Sequence, residues 1–162
     1  YYITTSILLK VFQCEEKIEA ITVMMQKEVA DHFFLQPQSR DYGAINIIME
    51  SGFAVERVMK IPRTVFDPKP NVESAVLRFT AKENRAPSRN RERFFELVKA
   101  CFKQRRKSLL NNYENYLHDR EMAKKILVAA NLDTSLRAEA LSLEQFLNLF
   151  EAEMNERERY EK

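Results

Sequence analysis

The segment Phe66-Asp67-Pro68-Lys69-Pro70-Asn71-Val72-Glu73-Ser74 lies between two strand-like stretches and carries two of the protein's five prolines. Each proline fixes its own φ angle, lacks a backbone donor and biases the preceding residue toward extended geometry. We therefore expect a stiff loop that holds Phe66 in a fixed place at its leading edge. Two interpretations stay open at this point: Phe66 plugs the end of a hairpin, or it presents its ring to a ligand.

The stretches on both sides of this loop alternate like β-strands. Apolar residues recur at every second position over residues 53–61, where Phe53, Met59 and Ile61 share a face and Arg57 is the exception, and 74–80 is a second extended run. Because no helical pattern intervenes, the sequence predicts an antiparallel pair at the edge of a sheet. The continuously apolar run 20–25 predicts a further strand, covered on both faces in a parallel or mixed sheet.

Helical periodicity marks the start of the chain and nearly all of its second half. The predicted helices cover residues 4–13 with Thr4 or Thr5 as cap, the stretch from Gln26 to Pro37, a segment beginning near Ser88, and residues 107–117, 120–130 and 142–154. In the last of these, Ser142 and Gln145 form a capping box, whereas the charged tail from Asn155 is expected to fray. The type of the element at 44–49 is left open.

The change of period from two to 3.6 marks a boundary between two parts of the chain. Residues 82–90, with Pro87, Ser88 and several charges, have the composition of an exposed linker. We therefore predict an α/β part over 1–82, a linker over 83–90 and a small all-helical domain over 91–162.

Composition restricts the protein to a narrow range of classes. The chain has 162 residues, of which 45% are hydrophobic and 31% charged, as expected for a soluble folded protein. It has no apolar run long enough to span a membrane and no signal peptide, and it starts without Met, so we expect a piece of a larger protein in a reducing, cytoplasmic compartment. Cys14, Cys101 and the two histidines lack the spacing of metal ligands, so no metal is expected.

Charge is distributed unevenly along the chain. Lys and Arg number 5 against 8 acids over residues 1–59, 14 against 5 over 60–110 and 7 against 11 over 111–162, which gives −3, +9 and −4. A clustered positive charge of this size suits a polyphosphate partner, although a solvated surface is the alternative.

Motifs for catalysis are not visible, but residues for nucleic-acid binding are. Neither histidine has a nucleophile nearby in sequence, and the two glycines, Gly43 and Gly52, cannot form a glycine-rich nucleotide loop. What remains is a set of aromatics, Tyr1, Tyr2 and Phe66, together with a predicted basic helix that carries Lys99, Lys103, Gln104, Arg105, Arg106 and Lys107. Aromatic rings stack on unstacked bases and cations bind phosphates, so the combination fits a nucleic acid with an exposed base.

Four ordered motifs resemble the small-subunit ribosomal RNA adenine dimethyltransferases over essentially the whole chain. They are Tyr1-Tyr2-Ile3-Thr4-Thr5, Met25-Gln26-Lys27-Glu28-Val29-Ala30-Asp31, the stretch from Ile61 to Ala75, and Phe102-Lys103-Gln104-Arg105-Arg106-Lys107-Ser108-Leu109. The erythromycin-resistance methylases of large-subunit RNA are related in the first half, but the run 103–109 favours the small-subunit branch.

This resemblance implies a fold, a reaction and a set of roles. The fold would be the C-terminal part of a class I (Rossmann-like) methyltransferase sheet with an antiparallel edge hairpin, followed by a helical domain that engages the small ribosomal subunit. The reaction would be transfer of methyl groups from S-adenosylmethionine to N6 of two adjacent adenines. Tyr1 and Phe66 would stack on the target base, and Arg63 and Lys69 would join the basic residues named above in binding RNA.

The resemblance also implies what this chain lacks. The family's cofactor loop and its Asn-Leu-Pro motif belong before Tyr1, so we expect no cofactor-binding residue in the chain and little activity from it alone. Thr5-Ser6-Ile7 replaces the more usual Thr-Pro-Ile. Two non-enzymatic alternatives stay open: an RNA-binding module, or an assembly factor that acts by occupying the small subunit.

Overall fold

The computed structural model describes residues 3–14 and 18–160. Its helices and strands are α1 (Thr4–Gln13), β1 (Ala20–Gln26), α2 (Lys27–His32), α3 (Ala44–Glu50), β2 (Phe53–Ile61), β3 (Ser74–Ala81), α4 (Arg91–Cys101), α5 (Leu109–Leu117), α6 (Arg120–Ala129) and α7 (Leu143–Tyr160). Single 3₁₀ turns lie at Arg63–Val65 and Ala138–Ala140. The first half is therefore mixed α/β and the second half helical, and the open element at 44–49 is a helix.

The strands form an antiparallel sheet in the order β1-β3-β2. Phe53 lies opposite Ala81 and Ile61 opposite Ser74, which confirms the predicted antiparallel pair. A bulge between Arg57 and Met59 shifts the register of β2. Because a shift of one residue moves each side chain to the other face, the expectation that Met59 and Ile61 share the face of Phe53 is wrong.

The strand predicted at 20–25 is present as β1, and in the described residues it belongs to an antiparallel sheet that leaves one of its faces uncovered. β1 pairs antiparallel with β3, and Met25 is buried while Ala20, Thr22 and Met24 are exposed. The buried residues of the sheet other than Ser74 share the face of Met25, and Thr22, Met24 and Arg78 on the opposite face are exposed. A continuous apolar run shows how much can be buried; it does not show how many layers will cover it.

Phe12 of α1 lies at the centre of the core beneath the sheet. Its ring centroid is 5.0 Å from that of Phe79, 5.2 Å from that of Phe53 and 6.3 Å from that of Phe33. Rings at these separations and inclined to one another add roughly 0.5–1.5 kcal/mol per pair to the burial of their area. This cluster fixes α1 and the end of α2 on the covered face of the sheet.

The helical half has its own apolar core with one buried carboxylate. Phe94 of α4 meets Phe150 of α7 at 5.5 Å, and Phe102 stacks on Phe146 at 5.7 Å. Glu153 of α7, fully buried, lies among the side chains of α4, α5 and its own helix. These contacts hold α4, and with it the chain that follows α4, against α7.

Several helix boundaries differ from the predictions, and each difference has a local cause. The N-cap of α1 is Ile3, and no side chain caps it, so the Thr4 or Thr5 cap is wrong. Helix α4 begins at Arg91 and not near Ser88, because Asn90 has a left-handed backbone with φ of 55°. The predicted capping box of α7 is confirmed: the Ser142 amide donates to Gln145 Oε1 at 2.9 Å, and the Gln145 amide donates to Ser142 Oγ at 3.3 Å.

Helix α7 runs on to Tyr160, where a frayed tail was expected. Ion pairs continue along this last stretch, from Arg157 to Glu153 and from Arg159 to Glu156. Pairs at these spacings support a helix by a few tenths of a kcal/mol each, roughly 0.2–0.5. None of the helices in residues 3–14 and 18–160 is both long enough and apolar enough to cross a membrane.

The segment 82–90 connects the two halves and is tied to the corner between α3 and β2. The Lys82 amide donates to the Gly52 carbonyl and the Ala86 amide to the Ser51 carbonyl, both at 2.9 Å. The buried guanidinium of Arg91 donates to the Ala86 carbonyl at 2.9 Å and reaches Ser51 Oγ at 3.3 Å. Segment 82–90 is therefore held in place on both sides.

Candidate RNA-binding site

The loop that carries Phe66 is built from one 3₁₀ turn followed by extended backbone. Pro62 is extended, the Val65 amide donates to the Pro62 carbonyl at 3.3 Å, and Phe66 then returns to extended geometry with φ −102° and ψ 146°. Phe66 is half-buried, whereas Arg63 and Lys69 of the same loop are exposed. The loop thus places one partly accessible ring beside two solvated cations.

The far end of this loop is fastened to α2. The Lys27 amide donates to the Glu73 carbonyl at 2.9 Å, where the chain enters β3. Asp31, one turn further along α2, pairs with Lys27 at 2.9 Å and with Arg57 of β2. The hydrogen bond from Lys27, opposed by partial burial and aided by the hydrogen bond from Arg57, lowers the pKa of Asp31. Helix α2 is therefore tied to both strands that flank the loop.

The predicted basic helix is wrong in its geometry. Lys99 lies on α4, but α4 ends at Cys101, and the run 103–107 forms an exposed turn before α5. Ser108 has an extended backbone and caps α5 by accepting a hydrogen bond from the Asn111 amide at 3.3 Å, so the chain leaves the helical conformation before it. We call residues 103–107 the basic turn.

A buried amide side chain fixes the conformation of the basic turn. Asn112, 4% exposed, accepts from the Gln104 amide at 3.1 Å and donates to the Gln104 carbonyl at 3.0 Å. The turn is closed by the Lys107 amide, which donates to the Gln104 carbonyl at 2.9 Å. The backbone amide and carbonyl of Gln104 are therefore both hydrogen-bonded to Asn112 of α5. Its neighbours Lys103, Arg105, Arg106 and Lys107 project from a defined backbone.

About half of the other Lys and Arg side chains in the described residues form ion pairs with acids, whereas the cations of the predicted site do not. Ion pairs engage Lys27, Arg57, Arg93, Arg120, Lys125, Arg137, Arg157 and Arg159. Within residues 3–14 and 18–160, none of the predicted RNA-binding cations (Arg63, Lys69, Lys99, Lys103, Arg105, Arg106 and Lys107) forms such a pair. Their charge is therefore available to phosphate groups.

Contacts between loops connect the basic turn to α2. The Arg105 guanidinium donates to the Arg40 carbonyl, and the Gln38 amide donates to the Glu139 carbonyl at 2.7 Å. His32, at the end of α2, is half-buried; burial lowers the pKa of its imidazole, Asp41 opposes this effect, and Arg105 adds to it. Arg105 is thus close enough to α2 to act on its last residue. Sequence reasoning missed Arg40, whose position in a loop without periodicity gave no signal beyond its charge.

Tyr1, the predicted second stacking residue, lies outside the described residues. Phe66 and the basic turn are therefore the parts of the predicted site whose geometry can be described. The end of the Phe66 loop is hydrogen-bonded to the first residue of α2, and Arg105 of the basic turn is hydrogen-bonded to the loop that follows α2.

The two glycines of the described residues serve packing and helix capping. Gly43 sits at the start of α3, where its amide donates to Asn46 Oδ1 at 3.0 Å. A Cβ on Gly52 would lie 2.9 Å from Arg91 Nη2, so the close approach there serves Arg91 and not a ligand. Neither glycine stands in a turn between a strand and a following helix in the way a nucleotide loop requires. Nor do the described residues bring three His, Cys, Asp or Glu side chains together as metal ligands.

The sheet, the helices that cover one face of it and the helical second half define a mixed α/β protein. The sequence pattern of the family described as ribosomal RNA adenine dimethylase matches residues 1–154, and the chain belongs to that family. This confirms the resemblance inferred from the motifs.

Relatives with curated names point to the small-subunit branch. The chain is 42% identical over 154 residues to "Ribosomal RNA small subunit methyltransferase A" of Bacillus pumilus (strain SAFR-032), an alignment that covers 92% of this chain and 53% of that protein. The protein with the same name from Bacillus mycoides (strain KBAB4) is 41% identical over 157 residues, covering 94% of this chain and 54% of its own length. The chain therefore spans about half the length of the curated relatives it matches.

Two solved structures share the fold. A dimethyladenosine transferase from Plasmodium falciparum superimposes with a TM-score of 0.77 at 21% identity, covering 96% of this chain and 64% of that one. The 23S rRNA methyltransferase ErmE superimposes with a TM-score of 0.62 at 25% identity, covering 94% and 61%. The first likeness supports the arrangement of helices and strands and does not bear on activity.

Proposed function

We propose that this chain is the carboxy-terminal part of an S-adenosylmethionine-dependent enzyme that dimethylates N6 of two adjacent adenines in small-subunit ribosomal RNA. The observation that carries the proposal is the family match over residues 1–154. The half-length coverage of the relatives supports the idea that a further part of the enzyme completes the class I sheet and binds the methyl donor.

In this proposal the chain contributes recognition and positioning. An adenine amine is a weak nucleophile, so the base must leave the stack and be held with its N6 lone pair directed at the reacting carbon. We assign that role to Phe66 and to Tyr1, on opposite faces of the base. The partial exposure of Phe66 on an anchored loop supports its assignment.

The phosphate contacts are assigned to the unpaired cations. Arg63 and Lys69 would hold the RNA near Phe66, while Lys99, Gln104 and the cations of the basic turn would hold it further away, with 91–162 as the part that engages the small ribosomal subunit. Exposure of these side chains and the absence of acidic partners within the described residues support this assignment. Phosphate contacts set register and affinity; they do not position the reacting atom.

A second candidate function is an RNA-binding module or assembly factor without catalysis. The observation that favours it is that Gly43 and Gly52 of the described residues do not form a cofactor cradle. The two candidates differ in whether the protein, completed by its family's preceding segment, transfers methyl groups to small subunits.

The test replaces Phe66 by Ala in the intact enzyme that contains this chain and measures both methyl transfer to small subunits and affinity for them. Stacking is worth roughly 1–3 kcal/mol per base, so transfer should fall about tenfold or more, while affinity, set by phosphates, changes little. Val65→Ala, at a neighbouring residue that is 65% exposed, is the matched control. Equal losses in transfer and affinity would contradict the role of Phe66, and no transfer by the unaltered enzyme would leave the non-catalytic candidate.

A further inference from the structure

A cleft between α1 and α2 has no role in the site described so far. It has a volume of about 260 Å³ and is lined by Thr5, Glu28, Val29, His32 and Phe33. Phe33 is buried and Val29 half-buried, so they form an apolar floor, and Glu28 is exposed at the rim. Sites for whole small molecules have volumes of roughly 300–1,000 Å³, so this cleft suits a single planar ring system.

The cleft lies on the helix next to which both parts of the proposed RNA-binding site are attached. Its lining residues Glu28 to Phe33 belong to α2 and the residue that follows it. The Lys27 amide, at the start of α2, donates to the Glu73 carbonyl at the end of the Phe66 loop, and Arg105 of the basic turn donates to the Arg40 carbonyl in the loop after α2. At 1.5 Å per residue, the six residues of α2 span only about 9 Å. The cleft is therefore formed by the short helix that lies between these two attachments in the chain.

The chemistry of the lining selects a base over a phosphate. A carboxylate at the rim repels phosphate but accepts a hydrogen bond from an exocyclic amine, a group that adenine presents. The apolar floor made by Val29 and Phe33 can contact the face or edge of a ring. Burial lowers the pKa of the His32 imidazole, which favours the neutral ring with its one donor and one acceptor.

We propose that this cleft binds the adenine that neighbours the target adenine, with the neighbour's exocyclic amine donating to the Glu28 carboxylate. The inference rests on the proposed function, since it takes the paired adenines as substrate. It adds a second base site, which would hold one adenine of the pair while the other lies at Phe66.

The experiment measures equilibrium binding of the protein to a labelled RNA hairpin with two adjacent adenines in its loop. Each adenine in turn is replaced by purine, which lacks the amine. Loss of one charge-assisted hydrogen bond should weaken binding about tenfold. In Glu28→Ala, replacing the adenine that binds the cleft by purine should no longer weaken binding. Replacing the other adenine should weaken binding as it does in the unaltered protein.

Two further variants separate this contact from general electrostatics and from misfolding. Removing a carboxylate raises affinity for any RNA, and this gain is the same for the adenine and the purine hairpins. Glu96→Ala removes an exposed carboxylate from another cleft, so it should show only this general gain. Val29→Phe should fill the cleft and weaken binding of the adenine RNA, whereas Glu96→Ala should not weaken it. Glu28 is exposed on a helix, so its replacement by Ala is compatible with folding.

Discrimination between adenine and purine that persists unchanged in Glu28→Ala would overturn the cleft proposal and leave the proposed function intact. Absence of methyl transfer by the intact enzyme to small subunits would overturn the proposed function. The two failures are therefore distinguishable, because one is read from titrations and the other from methyl transfer.

Discussion

Replacing Glu153 by Gln is expected to destabilise the helical half that carries the basic turn. The Glu153 side chain is fully buried and accepts from Arg93 Nε and Nη2 at 3.2 Å, from Arg157 Nε at 3.0 Å and from Tyr113 Oη at 2.7 Å. Burial, and next the charge of Glu153, raise the pKa of the Tyr113 hydroxyl far above its ordinary value, so this hydroxyl is a donor at any working pH. Gln keeps the shape and an acceptor oxygen but removes the negative charge.

The magnitude follows from the exposure of the two cations. Breaking a fully buried ion pair costs about 3–5 kcal/mol, because a charge is left without compensation. The side chains of Arg93 and Arg157 are 34% and 41% exposed, so water replaces part of what Glu153 provided. We therefore expect a loss of about 2–3 kcal/mol in the free energy of unfolding, or roughly 5–10 °C in Tm for a chain of this size.

The assay is urea unfolding followed by circular dichroism, with the slope m compared between variants. Glu151→Gln, at an exposed position on the same helix, is the matched control and should change the free energy by less than about 0.5 kcal/mol. An equal effect of the two substitutions, or a loss for Glu153→Gln below about 0.5 kcal/mol, would refute the reasoning that a compensated buried charge holds α7 to α4. A changed m would instead indicate a change in the unfolded state or in cooperativity.

Two further predictions concern charge. Reversing Arg105 and Arg106 to Glu should weaken RNA binding and lower the slope of log K against log salt by about 1.5, since each single-strand phosphate contact contributes about 0.7. Reversal of the exposed Lys10 and Lys124 is the control. An unchanged slope would mean that the two arginines belong to a solvated surface. Because burial, opposed by Asp41 and aided by Arg105, lowers the pKa of His32 in the folded protein, the unfolded chain binds a proton first as pH falls. The contribution of His32 to stability should therefore be full above a pH of about 6.5 and decline below it. The urea midpoint of His32→Gln should lack this decline. An identical pH dependence of the midpoint in both proteins would contradict the assignment.

The strand pair and its loop could be predicted from sequence because the signals are local. Alternation over 53–61 and 74–80 and two prolines between them suffice for an antiparallel pair with a long connection. The bulge after Arg57 could not be predicted, because it is a feature of how two strands distant in the sequence pair with each other. The faces of Met59 and Ile61 were wrong for the same reason.

The basic turn shows how a tertiary contact overrides a periodic pattern. Lys99, Lys103 and Arg106 have helical spacing, and the charge of the run was predicted correctly from the sequence. The helix stops at Cys101, because Ser108 starts a new one and Asn112, eight residues after Gln104, satisfies the Gln104 backbone in a turn. Residue type identified which side chains are cationic, whereas their arrangement depends on an amide in the next helix.

The position of the basic turn relative to Phe66 depends on contacts that cross between the two halves. Arg91 holds the segment 82–90 to the α3–β2 corner, while the loop after α2 meets the second half at Arg105 and Glu139. These attachments lie at different places along the chain, so rotating one half against the other would break at least one of them. RNA that contacts Phe66 and the basic turn together therefore meets a spacing set before binding, and less of the binding free energy is lost in ordering the protein.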